Sequence, residues 1–252
     1  LNIVDKGELN LGAKGQLTVS GKSDSLINGS LKGLVDAKLI FDNAVGTVNS
    51  VNSDLQSDIN LVGTSTVQMN NSQALGNIGT IFITKDSELK VANTEDKLGE
   101  FTKTLSGVGN FTVTTGVNNT NSVVTLVGDN KDFKGNVNIG NNADVASTKL
   151  LIKDEKSLGV DNTVNIANKG ILFLTSNDQV TFNHQLKGTG IFATNLSGHE
   201  LTMGKGSQFN GANFEGTLAL TDTKFVLNGG DNTTAVTKAI VQANQKSIVT
   251  VA

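Results

Sequence analysis

One pattern of leucine, glycine and phenylalanine occurs twice in the chain, at a constant distance of 81 residues. Segment 105–139 recurs as segment 186–220. The matched positions of the first copy are Leu105, Gly107, Gly109, Phe111, Phe133, Gly135, Val137 and Ile139, and those of the second are Leu186, Gly188, Gly190, Phe192, Phe214, Gly216, Leu218 and Leu220. The residues between these positions differ, so the pattern keeps its register while the loops vary. Such self-similarity indicates a repeat protein.

Weaker copies of the same patterns cover the rest of the chain. Upstream, Leu31 and Gly33 align with Leu105 and Gly107. A companion block occurs three times, at Ile3 and Leu9, at Ile83 and Leu89, and at Ile166 and Leu172. The sequence therefore predicts a single domain over residues 1–252, built from three degenerate units at about 1–79, 80–162 and 163–252.

Within each unit, nearly every segment shows the alternation of a short strand, bounded by Gly, Asn, Asp or Ser. Leu39 with Phe41 and Ile59 with Leu61 are examples. Many short strands with tight turns fit a sandwich, a barrel, a propeller or a solenoid. A sandwich would not repeat, and a propeller blade of about 40 to 50 residues would divide each unit into halves that are not found. The pattern favours an all-β parallel solenoid with coils of about 20 residues, hence about 12 coils.

Composition agrees with a parallel solenoid. Hydrophobic residues make up 37% and aromatic residues 4% of the chain, with no Trp or Tyr, so aliphatic residues and a few Phe must build the core. We expect Phe111, Phe133, Phe192 and Phe214 to lie inside it. Pro is absent, which agrees with a hydrogen-bonded strand ladder because Pro lacks the backbone N–H that such a ladder uses. Asn is favoured at turns and can stack between coils as hydrogen-bonded ladders.

These blocks resemble the passenger domains of bacterial autotransporters. The resemblance rests on Leu-x-Gly-x-Gly-x-Phe at 105–111 and 186–192, on Phe-x-Gly at 133–135 and 214–216, and on Leu158-Gly159 before a strand. It implies a right-handed parallel β-helix exposed at the bacterial surface and anchored at the outer membrane through a C-terminal translocator barrel. The implied function is adhesion or self-association. The implied partners are a host surface protein or glycan, or the same protein on a neighbouring cell.

A second class of function stays open, because right-handed β-helices also carry polysaccharide lyases and glycoside hydrolases. Such enzymes bind sugar with aromatic residues, Arg and convergent carboxylates, and this chain has no Trp, Tyr or Arg. Two acidic clusters, Glu95 with Asp96 and Glu100, and Asp129 with Asp132, are interpreted as solvated turns. Carboxylates converging in a groove would favour the enzyme. The expectation is a non-enzymatic segment.

The remaining residues with reactive or metal-ligating side chains predict no catalytic, cofactor or metal site. His184 and His199 have no second His at metal-ligand spacing and are expected at surface or turn positions. The chain has no Cys, which excludes disulfides and thiolate ligands. Its net charge is -3 and no dense Lys run occurs, which argues against nucleic acid as a partner. No apolar run reaches the roughly 20 residues that cross a bilayer. The residues that form an adhesive face are not identifiable from the sequence.

Both ends of the chain carry expectations of their own. Val236, Ala239, Ile240 and Ala243 have helical spacing and predict a short helix near the C-terminus. The first coil has the core pattern of an interior coil, and the chain begins at Leu1 without a signal peptide. We therefore expect a segment of a longer passenger, whose first coil frays or stacks end to end on another molecule.

Overall fold

The computed structural model describes residues 1–93, 99–116, 118, 120–204, 213–227, 236 and 238–252. The described part contains short strands throughout, no α-helix and one 3-10 turn at Glu155–Leu158. The strands, β1 to β28 in chain order, are Asn2–Ile3, Glu8–Asn10, Gln16–Ser20, Asp24–Ile27, Ser30–Lys32, Lys38–Asp42, Val45–Val48, Asp58–Val62, Thr66–Met69, Thr80–Ile83, Glu88–Val91, Gly99–Phe101, Thr104–Gly107, Asn110–Val113, Ser122–Leu126, Asp132–Phe133, Asn136–Ile139, Thr148–Ile152, Thr163–Ile166, Gly170–Thr175, Val180–Phe182, Gln185–Gly188, Ile191–Asn195, Glu200–Met203, Thr217–Thr221, Lys224–Leu227, Ile240–Asn244 and Ile248–Val251.

The strands stack in parallel between successive turns of the chain. The first sheet has nine strands in the order β1-β4-β7-β9-β11-β14-β17-β19-β22, so the chain returns to it once per turn. The second sheet has seven strands, β12-β15-β18-β20-β23-β25-β27. The molecule is a parallel β-solenoid of about 10 turns. The repeat predicted this fold, although with a different number of turns. The right-handed winding stays a prediction from the resemblance.

Three shorter sheets complete the turns. The third sheet is β16-β13-β10-β8-β6-β3, the fourth is β21-β24-β26-β28, and β2 pairs with β5 alone. One turn runs from β14 in the first sheet through β15 in the second to β16 in the third, and a later one runs from β22 through β23 to β24 in the fourth. The third and fourth sheets therefore occupy equivalent positions. The 3-10 turn lies between them along the chain, where this side of the solenoid has no strand.

Inward residues form a continuous apolar column, because alternate residues of each strand face the same side. One row in register along the first sheet is Val67, Leu89, Phe111, Val137, Val164 and Leu186, and all six are buried. The four predicted core phenylalanines, Phe111, Phe133, Phe192 and Phe214, are at most 1% exposed, so that prediction is confirmed. Burial of each ring stabilises the fold by about 1.5 to 3 kcal/mol.

The 81-residue repeat does not correspond to a whole number of turns. Leu105 lies in β13 of the third sheet, whereas its counterpart Leu186 lies in β22 of the first sheet. Phe111 lies in the first sheet and Phe192 in the second. The second copy therefore lies three turns and one face further along the solenoid than the first. The pattern that repeats is strand, glycine corner and strand, and any corner of the solenoid accepts it.

This offset explains why the estimate of about 12 coils was too high. Four coils per unit were expected, but the unit makes three turns and one face, and the solenoid has about 10 turns. Turns are also longer than about 20 residues. Hydrogen-bonded residues in adjacent turns are 21 positions apart at Asn28 and Asn49, and 27 apart at Asn130 and Ser157.

The repeated glycines are required by the corners. Gly107 and Gly188 have φ angles of 94° and 96°, a conformation that other residues rarely adopt. A Cβ on Gly135 would lie 1.9 Å from the carbonyl oxygen of Gly109, and the equivalent atom on Gly216 would lie 2.1 Å from that of Gly190. At these glycines the backbones of adjacent turns are therefore too close together to leave room for a side chain.

The helix predicted near the C-terminus is wrong. Ile240–Asn244 forms β27, which pairs in parallel with β25 and sets Ala243 beside Leu220. Residues 231–235 and 237 of the predicted segment lie outside the described residues. The edge of β25 offers a row of backbone donors and acceptors, and pairing with it outweighs the local helical spacing.

The first coil resembles its neighbours in strand pairing. β1 pairs with β4 and β2 with β5, both in parallel. Ile3 is 9% exposed, Leu9 is half-buried and Leu1 is exposed. Fraying or end-to-end stacking of this coil stays a prediction.

Candidate interaction face

The outward face of the first sheet is a polar surface that continues across eight strands. Its central row, in register from turn to turn, is Leu26, Thr47, Gln68, Lys90, Thr112, Asn138, Asn165 and Lys187. Only the first member is apolar. We call this surface the polar face. Its donors and acceptors recur at the strand spacing of about 4.8 Å, a periodicity that a polymeric or flat partner can match.

Asparagine side chains beside this row bond directly between turns. The amide of Asn49 donates to Asn28 at 2.6 Å, and that of Asn70 donates to Asn49 at 2.6 Å. Gln68 donates to Asn70 at 2.7 Å. The chain thus forms the asparagine ladder that its composition predicted.

Hydroxyls and amides continue the contacts in later turns. The Thr112 hydroxyl donates to Glu88 Oε1 at 2.6 Å and accepts from Asn138 Nδ2 at 3.2 Å. Asn165 and Lys90 join these residues around an open groove of about 340 Å³. Lys90 Nζ lies 3.4 Å from Glu88 Oε2, so the charges in the groove balance. The groove can offer hydrogen bonds to an uncharged polar ligand.

A second groove, of about 350 Å³, contains a histidine and several carboxylates. Asp129, Glu155, Asp161 and His184 line it, together with Lys131. His184 lies in the bend between β21 and β22, one of the two expected positions, but it is 1% exposed and therefore not at the surface. It is buried because both ring nitrogens find partners where the third and fourth sheets are interrupted. Nε2 lies 3.0 Å from Glu155 Oε2 and also 3.0 Å from the Glu155 carbonyl oxygen.

The second nitrogen of the same ring defines its tautomer. Nδ1 of His184 accepts a hydrogen bond from the backbone N–H of Asn162 at 3.3 Å. Nδ1 is therefore the acceptor and Nε2 the donor to Glu155. Phe182 packs edge-on against it at 5.1 Å between ring centroids. His199, in contrast, is exposed in a turn, as expected.

The structure describes Asp129, Asp132 and Glu100 of the two acidic clusters proposed from the sequence. Asp129 lines the second groove, whereas Asp132 is exposed at the start of β16. Glu100 is exposed, and Glu95 and Asp96 lie outside the described residues. Among the residues that the structure describes, no three His, Asp or Glu side chains are arranged to hold a metal ion.

Buried asparagines, which sequence reasoning missed, join successive turns where the sheets are interrupted. Asn52 is 2% exposed, accepts from the Leu31 N–H at 2.8 Å and donates to the Ala74 carbonyl at 2.6 Å. Asn130 likewise accepts from the Leu105 N–H at 2.6 Å and donates to the Ser157 carbonyl. Each side chain replaces backbone bonds that a neighbouring strand would have supplied.

Lys103 makes a similar connection with a cation. It is 1% exposed, and its Nζ donates to the carbonyl oxygens of Ser57, at 2.6 Å, and Ile78. Burial lowers the pKa of Lys103 from 10.5 to about 8, although the charge of Asp58 acts in the opposite direction. No sequence signal separates Lys103 from the exposed lysines.

Comparison with known proteins finds a relative of part of the chain. No family model matches the chain, and no solved structure matches it. Uncharacterized protein YuaQ of Escherichia coli strain K12 is 38% identical over 125 residues, which are 50% of this chain and 8% of that protein. The chain therefore corresponds to a small part of its relative's length. None of the described residues forms a helix that is long and apolar enough to span a bilayer.

Proposed function

We propose that the chain is a structural and adhesive segment of a bacterial surface protein, of the kind found in autotransporter passengers. The polar face carries this proposal, because it presents a periodic array of amides and hydroxyls along most of the solenoid. The parallel solenoid fold and the similarity to part of a much longer bacterial protein support it. Placement at the cell surface through a translocator barrel is part of the proposal.

The partner is a host surface protein or glycan, or the same protein on a neighbouring cell. Each hydrogen bond to the polar face contributes a net of about 0.5 to 1.5 kcal/mol, so a useful affinity requires many of them in register. A glycan or an extended strand fits this requirement, since both offer repeating polar groups. Many copies on one cell then act together and strengthen the contact further.

Surface display provides the test. Residues 1–252 are displayed on a non-adhesive bacterium, and sedimentation of the cell suspension and binding to host cells and glycan-coated surfaces are measured. We expect clumping or surface binding, and a loss of about tenfold when Gln68→Ala, Asn138→Ala and Asn165→Ala are combined, since three in-register contacts vanish. The matched control replaces three outward residues elsewhere, Thr18→Ala, Asn60→Ala and Ser106→Ala of the third sheet. Cells that neither clump nor bind would contradict the proposal.

A polysaccharide-processing enzyme is the second candidate. The second groove favours it, because Asp129, Glu155 and Asp161 line one concavity beside His184. Two carboxyl groups about 5 to 10 Å apart are the usual apparatus of glycoside hydrolysis. Incubating the purified chain with bacterial and host polysaccharides and measuring new reducing or unsaturated ends tests this. Cleavage that Asp129→Asn abolishes would establish the enzyme.

A further inference from the structure

Part of the outward face of the second sheet, on four of its seven strands, is apolar, unlike the polar face. Its central row, in register on β18, β20, β23 and β25, is Leu151, Phe173, Ala193 and Ala219. The adjacent row on the same strands is Lys149, Ile171, Ile191 and Thr217. All these side chains are half-buried by their neighbours alone. A contiguous apolar surface on the outside of a solenoid is a candidate site for a covering partner. We call it the apolar face.

The order of side-chain sizes along the central row points to the partner. From one end to the other the row reads large, large, small, small. A second copy of the chain, turned around an axis parallel to the strands between β20 and β23, brings Leu151 opposite Ala219 and Phe173 opposite Ala193 of that copy. Every large side chain then faces a small one, the arrangement in which facing layers interdigitate. Ile171 faces Ile191 in the adjacent row.

The charges on this face favour the same antiparallel arrangement. In it, Lys149 faces Thr217 of the second copy, and Lys153, which follows β18, faces Thr221. A parallel arrangement would instead set Lys149 of one copy against Lys153 of the other, and Phe173 against Phe173. Like charges in contact oppose association. Lys149 Nζ lies 4.7 Å from the Phe173 ring centroid, so this charge is already held on its own chain.

We propose that the apolar face binds a second copy of this chain, antiparallel and around a two-fold axis between β20 and β23. This inference rests on the proposed function, because it gives the displayed segments a way to pair. The face measures about 20 Å by about 15 Å from the strand and residue spacings. About 300 Å² per copy is well under half of the roughly 800 Å² in a standard stable interface. The pair is therefore weak in solution and gains strength where many copies are displayed together.

Cross-linking tests the antiparallel geometry. Because the chain has no Cys, an introduced Cys supplies the only thiol that can react. Leu151→Cys and Ala219→Cys are prepared as separate proteins and treated with a short bis-maleimide, alone and mixed. The proposal expects a cross-linked dimer in the mixture and little in either protein alone, where the two thiols would be displaced by about 14 Å along the solenoid. A dimer from Leu151→Cys alone, or no dimer in the mixture, would overturn the proposal.

Exchanging the sizes of two side chains tests the packing. Ala193→Phe sets two phenylalanine rings against each other and is expected to weaken self-association at least about tenfold in sedimentation velocity. Phe173→Ala combined with Ala193→Phe restores large against small, and the dimer returns to within about threefold of the unchanged chain. Circular dichroism confirms that each variant is folded. A double variant no better than Ala193→Phe would refute this packing.

The two proposals fail in different experiments. Pairing is measured on purified chain in solution, whereas adhesion is measured on displaying cells. If the purified chain pairs but the cells neither clump nor bind, adhesion is refuted and the pairing surface stands. If the cells adhere but the chain shows neither the mixed cross-link nor the size-exchange rescue, the apolar face is refuted alone.

Discussion

Asn49 and Asn52 belong to the same turn of the solenoid, yet they do different work. Asn49 is exposed and bonds to Asn28 and Asn70 in the adjacent turns. Asn52 is buried and ties the backbone of Leu31 to that of Ala74. Water can replace the bonds of Asn49 but not those of Asn52. The comparison teaches that stability depends on the inner side chains, which leaves the outer ones available for binding.

The largest expected effect comes from the inner asparagine. Asn52→Ala leaves a buried N–H and a buried carbonyl without partners and is expected to lower the free energy of unfolding by about 2 to 4 kcal/mol, measured by urea denaturation. Asn49→Ala in the same turn is the matched control. Equal losses in the two variants would break the comparison.

A second inner connection has its own dependence on pH. The pKa of Lys103 is about 8 in the folded chain against an ordinary 10.5. Between these values the unfolded chain binds more protons, so the free energy of unfolding rises with pH. We expect the folded chain to gain about 2 kcal/mol between pH 7 and pH 9.5 relative to Lys103→Met.

Urea denaturation of both proteins at several pH values measures this gain. Differences between the two proteins remove the contribution of the other lysines, and there is no Tyr or Cys to titrate. A difference that is constant with pH would show that the Lys103 amine is in contact with water.

The outer ladder gives the smallest effect. Asn49→Ala removes two exposed amide contacts, and the free energy of unfolding should fall by only about 0.5 kcal/mol. Thermal and urea denaturation both report it. A loss above about 2 kcal/mol would mean that the ladder is a structural element, and that the polar face is less free to bind than proposed.

Much of the fold was predictable because it depends on periodicity. Alternation identified strands such as Lys38–Asp42 and Asp58–Val62, and the repeat predicted a parallel solenoid with Phe133 and Phe214 inside. The number of turns was not predictable in the same way. A strand, glycine corner and strand pattern is identical at every corner, so its spacing does not reveal how many faces separate two copies.

The missed features depend on contacts between turns. His184, Asn52 and Lys103 are polar residues inside the solenoid, and each is satisfied by backbone atoms of other turns. Local sequence contains no record of those partners. The wrong helix at Ile240 has the same origin, since the edge of β25 decided the conformation. The polar and apolar faces became visible only when the register aligned residues from successive turns.

The displacement of each repeat by one face has a consequence for how such a chain can grow. Had an ancestral segment of this length been duplicated, the outward residues of the new copy would point a third of a turn away from those of the old one. Duplication would then lengthen the rod without lengthening any single binding surface. A uniform surface such as the polar face must instead be acquired by separate substitutions, so its chemistry reflects selection on the assembled rod and not inheritance from the unit.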